Sequence, residues 1–436
     1  MSLEDAMRSV AREIFLHALA ESSVEKAFAR HLSYERGVLR IADDLYPLNS
    51  YARVQVVAFG KAGHRMAEIF SGLVGTTVQG IVADPVVPPY QVSGYRYFVG
   101  GHPQPNAESF HAAETILKSL AALNSESLAL FMVSGGGSAV VEKALDSEIS
   151  FEDLIATYRV LVHSGAPIAQ INAVRKHLSA VKGGRMAQAA QGAQQVSILV
   201  SDVPENALDS LASGPTMPDS STIDDCDQIA REHRMLDEFP SSVREIFEQR
   251  LLQETPKAGD PAFARSRWWK VLSSETAEKA ASEAAAKQGF AVEIDHKCDD
   301  WDYAKAADYL LDRVRRLRQG VSKACIISCG EVTVKVGAGA GTGGRNQQFA
   351  LYCAQKIAGE NIAVLSAGTD GIDGNSVAAG AVADGSTLER ARSTGMDPAQ
   401  HLRSFNAFPF FEKLGDTIQT GPTGTNVRDV RVLLGY

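Results

Sequence analysis

The 436-residue chain has few cysteines: Cys226, Cys298, Cys325, Cys329 and Cys353 make an odd count with none of the paired spacings of a zinc site. A reduced, cytoplasmic protein follows, with Cys325 and Cys329 as small core residues flanking Ile326-Ile327-Ser328. The chain also lacks basic excess. Its formal net charge is −9, whereas a nucleic-acid-binding domain shows a basic face or stripe. No apolar run reaches membrane-spanning length. The N-terminus carries Glu4, Asp5 and Glu13 within an amphipathic helical pattern, unlike the charged-then-apolar layout of a signal peptide. No fixed-period repeat occurs. A Walker A loop is missing as well, because its spacing places glycine where Gln55 stands. What remains is an enzyme-sized globular protein, 45% hydrophobic and long enough for two domains.

Short apolar runs followed by glycine loops and helical patterns recur at Val54–Phe59, Leu128–Val133, Val196–Val200, Ala324–Ser328 and Ile362–Leu365. This alternation predicts an α/β fold of two domains, each layered around a largely parallel sheet. Residues 253–267, QETPKAGDPAFARSR, contain two prolines and Gly259-Asp260 without an apolar period. They read as an inter-domain connection between an N-terminal domain, 1–252, and a C-terminal one, 262–436. Alanine-rich Glu275–Gly289 and Tyr303–Gly320 read as helices closed by glycine. A helix over Met1–Ala20 fits either domain.

Loops at predicted strand ends carry groups suited to anions. In VVAFGKAGHRMAEIF, Val56–Phe70, the turn Gly60-Lys61-Ala62-Gly63 sets Lys61 beside a helix N-terminus, where free N–H groups, the helix dipole and an ammonium converge. An ordinary surface lysine fits the same turn. After Leu128–Val133, Ser134-Gly135-Gly136-Gly137-Ser138 removes side chains from a ligand's path and can form an anion-binding nest. The block INAVRKHLSAVKGGR contains Asn172, Arg175, Lys176 and Lys182, and a helix there puts Arg175, Ser179 and Lys182 on one face. That face suits a small carboxylate or phosphorylated substrate, or is simply solvated. Acids sit in broken loops: Asp202 in SDVPEN, Glu331 in SCGEV, Asp370 and Asp373 in AGTDGIDGNS. Such carboxylates hold a hard cation like Mg2+ together with water and phosphate oxygens, and each alone also serves as a turn cap.

From Gly330 to Glu360 the chain reads GEVTVKVGAGAGTGGRNQQFALYCAQKIAGE. Gly339-x-Gly341-x-x-Gly344 matches the dinucleotide fingerprint, after a strand-like alternation of Val332, Val334 and Val336 and before the helical pattern Phe349, Leu351, Cys353, Ile357. The acid that holds the ribose at the end of the next strand is missing, since Ile362–Leu365 runs into a second glycine loop. The alternative is that the glycines present Arg345 and Asn346 to phosphates. Lys61, the triple-glycine turn, the basic block, Arg345 and the strand-end acids are together what phosphoryl transfer needs.

In order, FGKAG, GGHPQPN, SGGGSA, INAVRKHLSAVKGGR, SDVP with LASGPTMPD, GGRNQQ, AGTDGIDG and GPTGTN resemble the class II glycerate 2-kinase family, over a span from about Ala58 to Asn426. The family's C-terminal domain is called MOFRL, and its members have also carried the name hydroxypyruvate reductase. The resemblance implies an ATP-dependent, Mg2+-requiring enzyme of two α/β domains, with the active site in the cleft between them, that phosphorylates D-glycerate at the 2-hydroxyl. It also implies essential roles for the FGKAG lysine and the GGRNQQ arginine, here Lys61 and Arg345. Two blocks depart from the family pattern: Pro204-Glu205-Asn206 replaces Gly-Asp after SDV, and Pro105-Asn106 replaces Pro-Asp.

On this basis Arg175 and Lys176 fix the acceptor carboxylate, Lys61 and Arg345 neutralise the transferring phosphoryl group, and Asp202 with Asp370 hold Mg2+ or take the hydroxyl proton. Competing expectations are an NAD(P)H-dependent hydroxypyruvate reductase and a non-catalytic sensor that closes on glycerate or a phosphorylated sugar acid. The expected partner is a small molecule, with a homo-oligomer admitted and neither nucleic acid nor membrane. No aromatic pocket for adenine is identifiable.

Overall fold

The computed structural model describes residues 2–75, 78–337 and 339–436. Contacts divide the chain into a first unit, Ala27–Val271, and a second, Met1–Lys26 with Leu272–Tyr436. The first is built on a sheet in the order Tyr95–Val99, Gln79–Asp84, Arg53–Phe59, Ser127–Ser134, Gln194–Val200, Ser266–Leu272. Its first five strands are parallel neighbours. Val57, Phe59, Phe131 and Val133 pack with Ile116 and Leu120 of helix Ala107–Ala121, and the alternate Val56, Ala58, Leu130 and Met132 are equally buried. With both faces covered, these strands read as unbroken apolar runs.

Because these strands are parallel, the loops after Phe59, Asp84, Val99, Ser134 and Val200 all leave at one edge. The chain runs outward from Arg53–Phe59 to Tyr95–Val99 and then returns to the opposite side at Ser127–Ser134. The loops after Phe59 and Ser134 therefore flank the reversal of strand order, the place where open α/β sheets bind ligands. A small antiparallel sheet, Leu32–Glu35, Val38–Ile41 and Asp44–Pro47, and a separate helical core complete the unit.

The second unit holds a sheet in the order Ala291–Asp295, Ala324–Cys329, Asp429–Gly435, Ile362–Gly368, Gly380–Asp384, Thr417–Ile418. The fold class is α/β, but this sheet is mixed where a largely parallel one was expected. Its C-terminal strand lies antiparallel between Ala324–Cys329 and Ile362–Gly368, an insertion that local residue pattern does not encode. The antiparallel register sets Val430 opposite Cys329 and Asp429 opposite Gly368. Thus the start of the last strand meets the C-terminal ends of its two neighbours at one edge.

Three local features have identifiable contacts behind them. Helix Leu3–Glu21 packs in the second unit: Arg8 pairs with buried Asp384 and lies 3.5 Å from Asp416, and Arg12 donates to the Thr417 carbonyl at 2.8 Å. Residues 253–267 are anchored within the first unit instead of linking two domains. The Pro256 carbonyl accepts from the Asp219 amide at 3.0 Å, Glu254 lies 2.8 Å from His177 Nε2, and Ser266–Leu272 adds the edge strand. Finally, Val332, Val334 and Val336 form no strand; only Thr333 makes a bridge, to Asp302, and Val336 is exposed. No helix among the described residues is long and apolar enough to cross a membrane. All five cysteines are free and buried.

Candidate active site

At the edge of the first sheet, Gly60 has φ +103° and a methyl there would overlap the Ser134 carbonyl and hydroxyl. Glycine is therefore needed for the two turns to touch. The Ser134 hydroxyl accepts from the Ala62 amide at 3.0 Å, and the Lys61 amide donates to the Gly135 carbonyl at 2.9 Å. Lys61 is left with its side chain exposed, just before helix Gly63–Val74. Gly135 is bare because the Asp202 carboxylate occupies the space of a side chain, and a methyl on Gly136 would lie 3.0 Å from Lys61 Cγ and 3.1 Å from His102 Cδ2. Gly135 and Gly136 thus make room for the side chains of Asp202, Lys61 and His102. Gly135→Ala is expected to displace Asp202 and to lower turnover about 100-fold, checked by steady-state kinetics alongside a thermal melt.

Beside this turn lies a recess of 130 Å³ lined by His102, Gly136, Ser138, Tyr158 and Arg175, among others. The Arg175 guanidinium stacks over the Tyr158 ring at 4.8 Å. Its Nε is buried without a hydrogen bond, and Arg175 makes no ion pair among the described residues. A guanidinium lacking a counter-ion and backed by an aromatic ring suits bidentate capture of a small carboxylate. Asn172 sits half-buried one turn earlier on helix Ile168–Leu178. That helix ends before Ser179, which turns extended and bridges to Ala144, so Lys182 does not share a helical face with Arg175.

Several residues expected to bind ligand are instead committed inside the protein. Ser134 holds the Lys61 turn. Ser138 stays at the recess, its hydroxyl 2.8 Å from that of Ser213. Lys176 is buried, 2.9 Å from Asp219 and 3.2 Å from Asp209. Lys182, 1% exposed, lies 2.8 Å from Glu142, whose carboxylate also accepts from Ser179 at 2.6 Å and from Tyr158. Burial lowers the Lys182 pKa and Glu142 opposes the shift. Lys182→Met leaves Glu142 buried and unpaired, and is expected to cost about 3–5 kcal/mol of stability, measurable by urea unfolding.

In the second unit Arg345 opens helix Arg345–Lys356. Its Nε lies 2.6 Å from Asp429 Oδ2, and its Nη2 lies 3.0 Å from Asp429 Oδ1 and 2.8 Å from Glu331. Burial acts to lower the guanidinium pKa, but the Asp429 hydrogen bond and the charges of Asp429, Glu331 and Asp373 raise it overall. A permanently charged, fixed plane results. Arg345, Glu331 and Asp370 line a cavity of 760 Å³ together with Val334, Phe405 and the glycine loop. Asp370 is half-buried, and its Oδ1 accepts from the Ile372 amide at 3.1 Å.

Asp373 and Asn346 depart from the ligand roles expected of them. Asp373 is buried and accepts the Asn346 and Gln347 amides at 3.0 and 2.9 Å, two of the free N–H groups that begin the helix. Burial pushes its pKa up to about 6 against those bonds. Asn346 is equally enclosed, its Oδ1 accepting from Ser366 at 2.6 Å. Both residues mount the helix that carries Arg345. Gly344 is bare because a methyl there would overlap Asp373.

Among the described residues no three His, Cys, Asp or Glu side chains gather as a protein cage for a metal requires. Asp370 at the cavity of the second unit and, separately, Asp202 beside Gly135 in the first each have the chemistry of the sparser mode, in which Mg2+ is held by one or two carboxylates and the substrate's phosphate oxygens. The dinucleotide fingerprint fits poorly. No strand enters the glycine run, and a side chain at Gly337 or Gly339 would meet nothing within 4 Å. The departures from the family blocks also find local roles. Asn106 caps helix Ala107–Ala121 by accepting the Ser109 amide at 2.9 Å, as aspartate also does, and Glu205 pairs with Lys270. Sequence reasoning missed Asp429, Phe405 and His102; of these only His102 lay in a block already singled out, GGHPQPN.

Residues 10–248 match the family described as a domain of unknown function, DUF4147, and residues 324–429 match the MOFRL family. The D-glycerate 2-kinase of Thermotoga maritima is 34% identical over 401 residues, covering 90% of this chain and 93% of its own. The glycerate 2-kinase of Pyrococcus horikoshii is 30% identical over 88% of this chain and 87% of its own. A relative from Agrobacterium vitis, 33% identical over 98% of this chain and 94% of its own, carries hydroxypyruvate reductase as a provisional name. The crystal structure of the T. maritima glycerate kinase matches with a TM-score of 0.87 at 32% identity, covering 99% of this chain and 100% of that one. With two glycerate 2-kinases aligned along most of their length and the DUF4147 and MOFRL segments in succession, the chain belongs to the glycerate 2-kinase family.

Proposed function

We propose that the protein transfers the terminal phosphoryl group of ATP to the 2-hydroxyl of D-glycerate, giving 2-phosphoglycerate and ADP. The observation that carries this reading is Arg175, a guanidinium without a counter-ion among the described residues, in a recess of 130 Å³ beside the Lys61 turn. That recess has room for a three-carbon acid and none for a nucleotide. The 760 Å³ cavity at Arg345 takes the nucleotide, its phosphates toward Arg345 and its base against Val334 and Phe405. Lys61 and Arg345 are each suited to a phosphoryl group in transfer, where added positive charge stabilises the equatorial oxygens. Asp202 and Asp370 are each candidates to hold Mg2+, which when bound would neutralise phosphate charge. The homologous glycerate kinases support the reaction class; for the provisional reductase name, no strand among the described residues leads into the glycine run as a dinucleotide fingerprint requires.

Phosphorus NMR of the protein with ATP, Mg2+ and D-glycerate is expected to show 2-phosphoglycerate and ADP, while a parallel sample of NADH and hydroxypyruvate keeps its absorbance. NADH oxidation without a phosphorylated product would overturn the proposal.

A further inference from the structure

We infer that His102 is the general base that takes the proton from the acceptor hydroxyl, an inference that rests on the kinase reaction proposed above. His102 follows strand Tyr95–Val99 and so reaches the same sheet edge as Lys61, Gly135 and Asp202. Its Nε2 and Cδ2 lie 3.3 and 3.1 Å from where a side chain on Gly136 would begin, so the ring rests against bare backbone with the Lys61 stem beside it. The other wall of the recess is Arg175 on Tyr158. In an α-hydroxy acid the reacting hydroxyl is on the carbon that bears the carboxylate. A carboxylate docked on Arg175 therefore keeps its 2-hydroxyl within the recess, and the proton acceptor must line that recess too.

Elimination among the lining groups leaves His102. The Tyr158 hydroxyl is engaged by Glu142 and the Ser138 hydroxyl by Ser213, while Arg175 is a cation. His64, His177 and His401 are tied through ring nitrogens to Tyr97, to Ala173 with Glu254, and to the Asn406 carbonyl. Neither ring nitrogen of His102 has a hydrogen-bond partner among the described residues. The charged and titratable groups around it are Lys61, Arg175, Tyr158 and, across Gly135, Asp202. Desolvation first and the Lys61 charge second lower its pKa, which keeps the imidazole neutral with a lone pair to offer at neutral pH.

In the step, the hydroxyl O–H bond breaks as its oxygen bonds the γ-phosphorus. The proton passes to a ring nitrogen of His102, and the bond from γ-phosphorus to the bridging oxygen breaks with its electrons staying on ADP. Asp202 is then left to Mg2+. The test uses the full-length chain with ATP, Mg2+ and D-glycerate, in His102→Gln, His102→Ala and Asp202→Asn variants whose folding is checked by circular dichroism. His102→Gln is expected to lower kcat about 100-fold or more with little change in the KM for D-glycerate, and to abolish the acidic limb of the kcat–pH profile. Free imidazole is expected to restore part of the His102→Ala activity, and Asp202→Asn to keep the limb while raising the Mg2+ requirement. The inference is overturned if His102→Gln keeps wild-type kcat, if imidazole restores nothing, or if the limb survives in His102→Gln and vanishes in Asp202→Asn. A wild-type protein that forms no phosphorylated product removes the kinase reaction itself, a different failure.

Discussion

Lys61→Met is expected to lower kcat for glycerate phosphorylation by about 1,000-fold or more, the scale seen when a cation or donor aimed at a transition-state oxyanion is removed. Stability is expected to stay within about 0.5 kcal/mol of wild type, because an exposed lysine in a turn has little packing to lose. The turn itself is held by the Ser134 hydroxyl and the Gly135 carbonyl, which bond the backbone of Ala62 and Lys61 and do not involve the lysine side chain. Kinetics with a thermal melt therefore separate function from folding. A full loss of turnover with a large drop in melting temperature would assign Lys61 to structure, and unchanged turnover would remove it from the site.

Arg345→Lys is expected to behave differently, with turnover reduced about 100-fold and stability reduced by about 1–3 kcal/mol. Lysine keeps the charge but not the fork that engages both oxygens of Asp429, a carboxylate only 1% exposed. Losing one of those bonds leaves a buried acceptor unsatisfied. The stability loss stays below that of a wholly buried pair because Arg345 itself is about one-third open to solvent, its side chain being 36% exposed. Asp429→Asn is the companion variant, removing the partner's charge while leaving the arginine in place. If it lowers turnover without altering Arg345 chemically, orientation by Asp429 is part of the site.

Much of the fold was legible because the signals are local. Strand, glycine turn and helix follow one another at Arg53–Val74 and again at Ser127–Val140, and parallel strands covered on both faces give continuous apolar runs. The position of the last strand was not legible, since its neighbours at Ala324–Cys329 and Ile362–Gly368 lie about 60–110 residues earlier and no local pattern names them. Asp429 escaped notice for the same reason: only the antiparallel register brings it to Arg345. In the site, residue type overstated Lys176 and Lys182. A cation in a block rich in cations reads as a ligand group, whereas Asp219 and Glu142, far away in sequence, take both into the interior. Arg175, half-buried against Tyr158, has no such acid among the described residues.

The glycines teach a related lesson. Gly135 and Gly136 suggested bare backbone open to an anion, and Gly344 the last glycine of a fingerprint or of a run presenting Arg345. At each position the missing side chain is replaced by another residue of the candidate site, Asp202, Lys61 with His102, and Asp373 respectively. Composition drew attention to these loops, but their glycines are accounted for by close neighbours within the protein. The Asp202 and Asp373 contacts could be anticipated from chemistry, as acids near glycine turns, but which acid binds metal and which caps a helix depends on burial and amide direction.

Under the proposed kinase reaction, Lys61 and Arg345 each stabilise the phosphoryl group in transfer. A double-mutant cycle on kcat for ATP and D-glycerate, with Lys61→Met, Arg345→Met and the combination, tests it most directly. The expected result is strong non-additivity, with the double variant scarcely slower than the slower single one, as for groups that work as a unit. Losses that multiply, each variant contributing independently of the other, would contradict the claim.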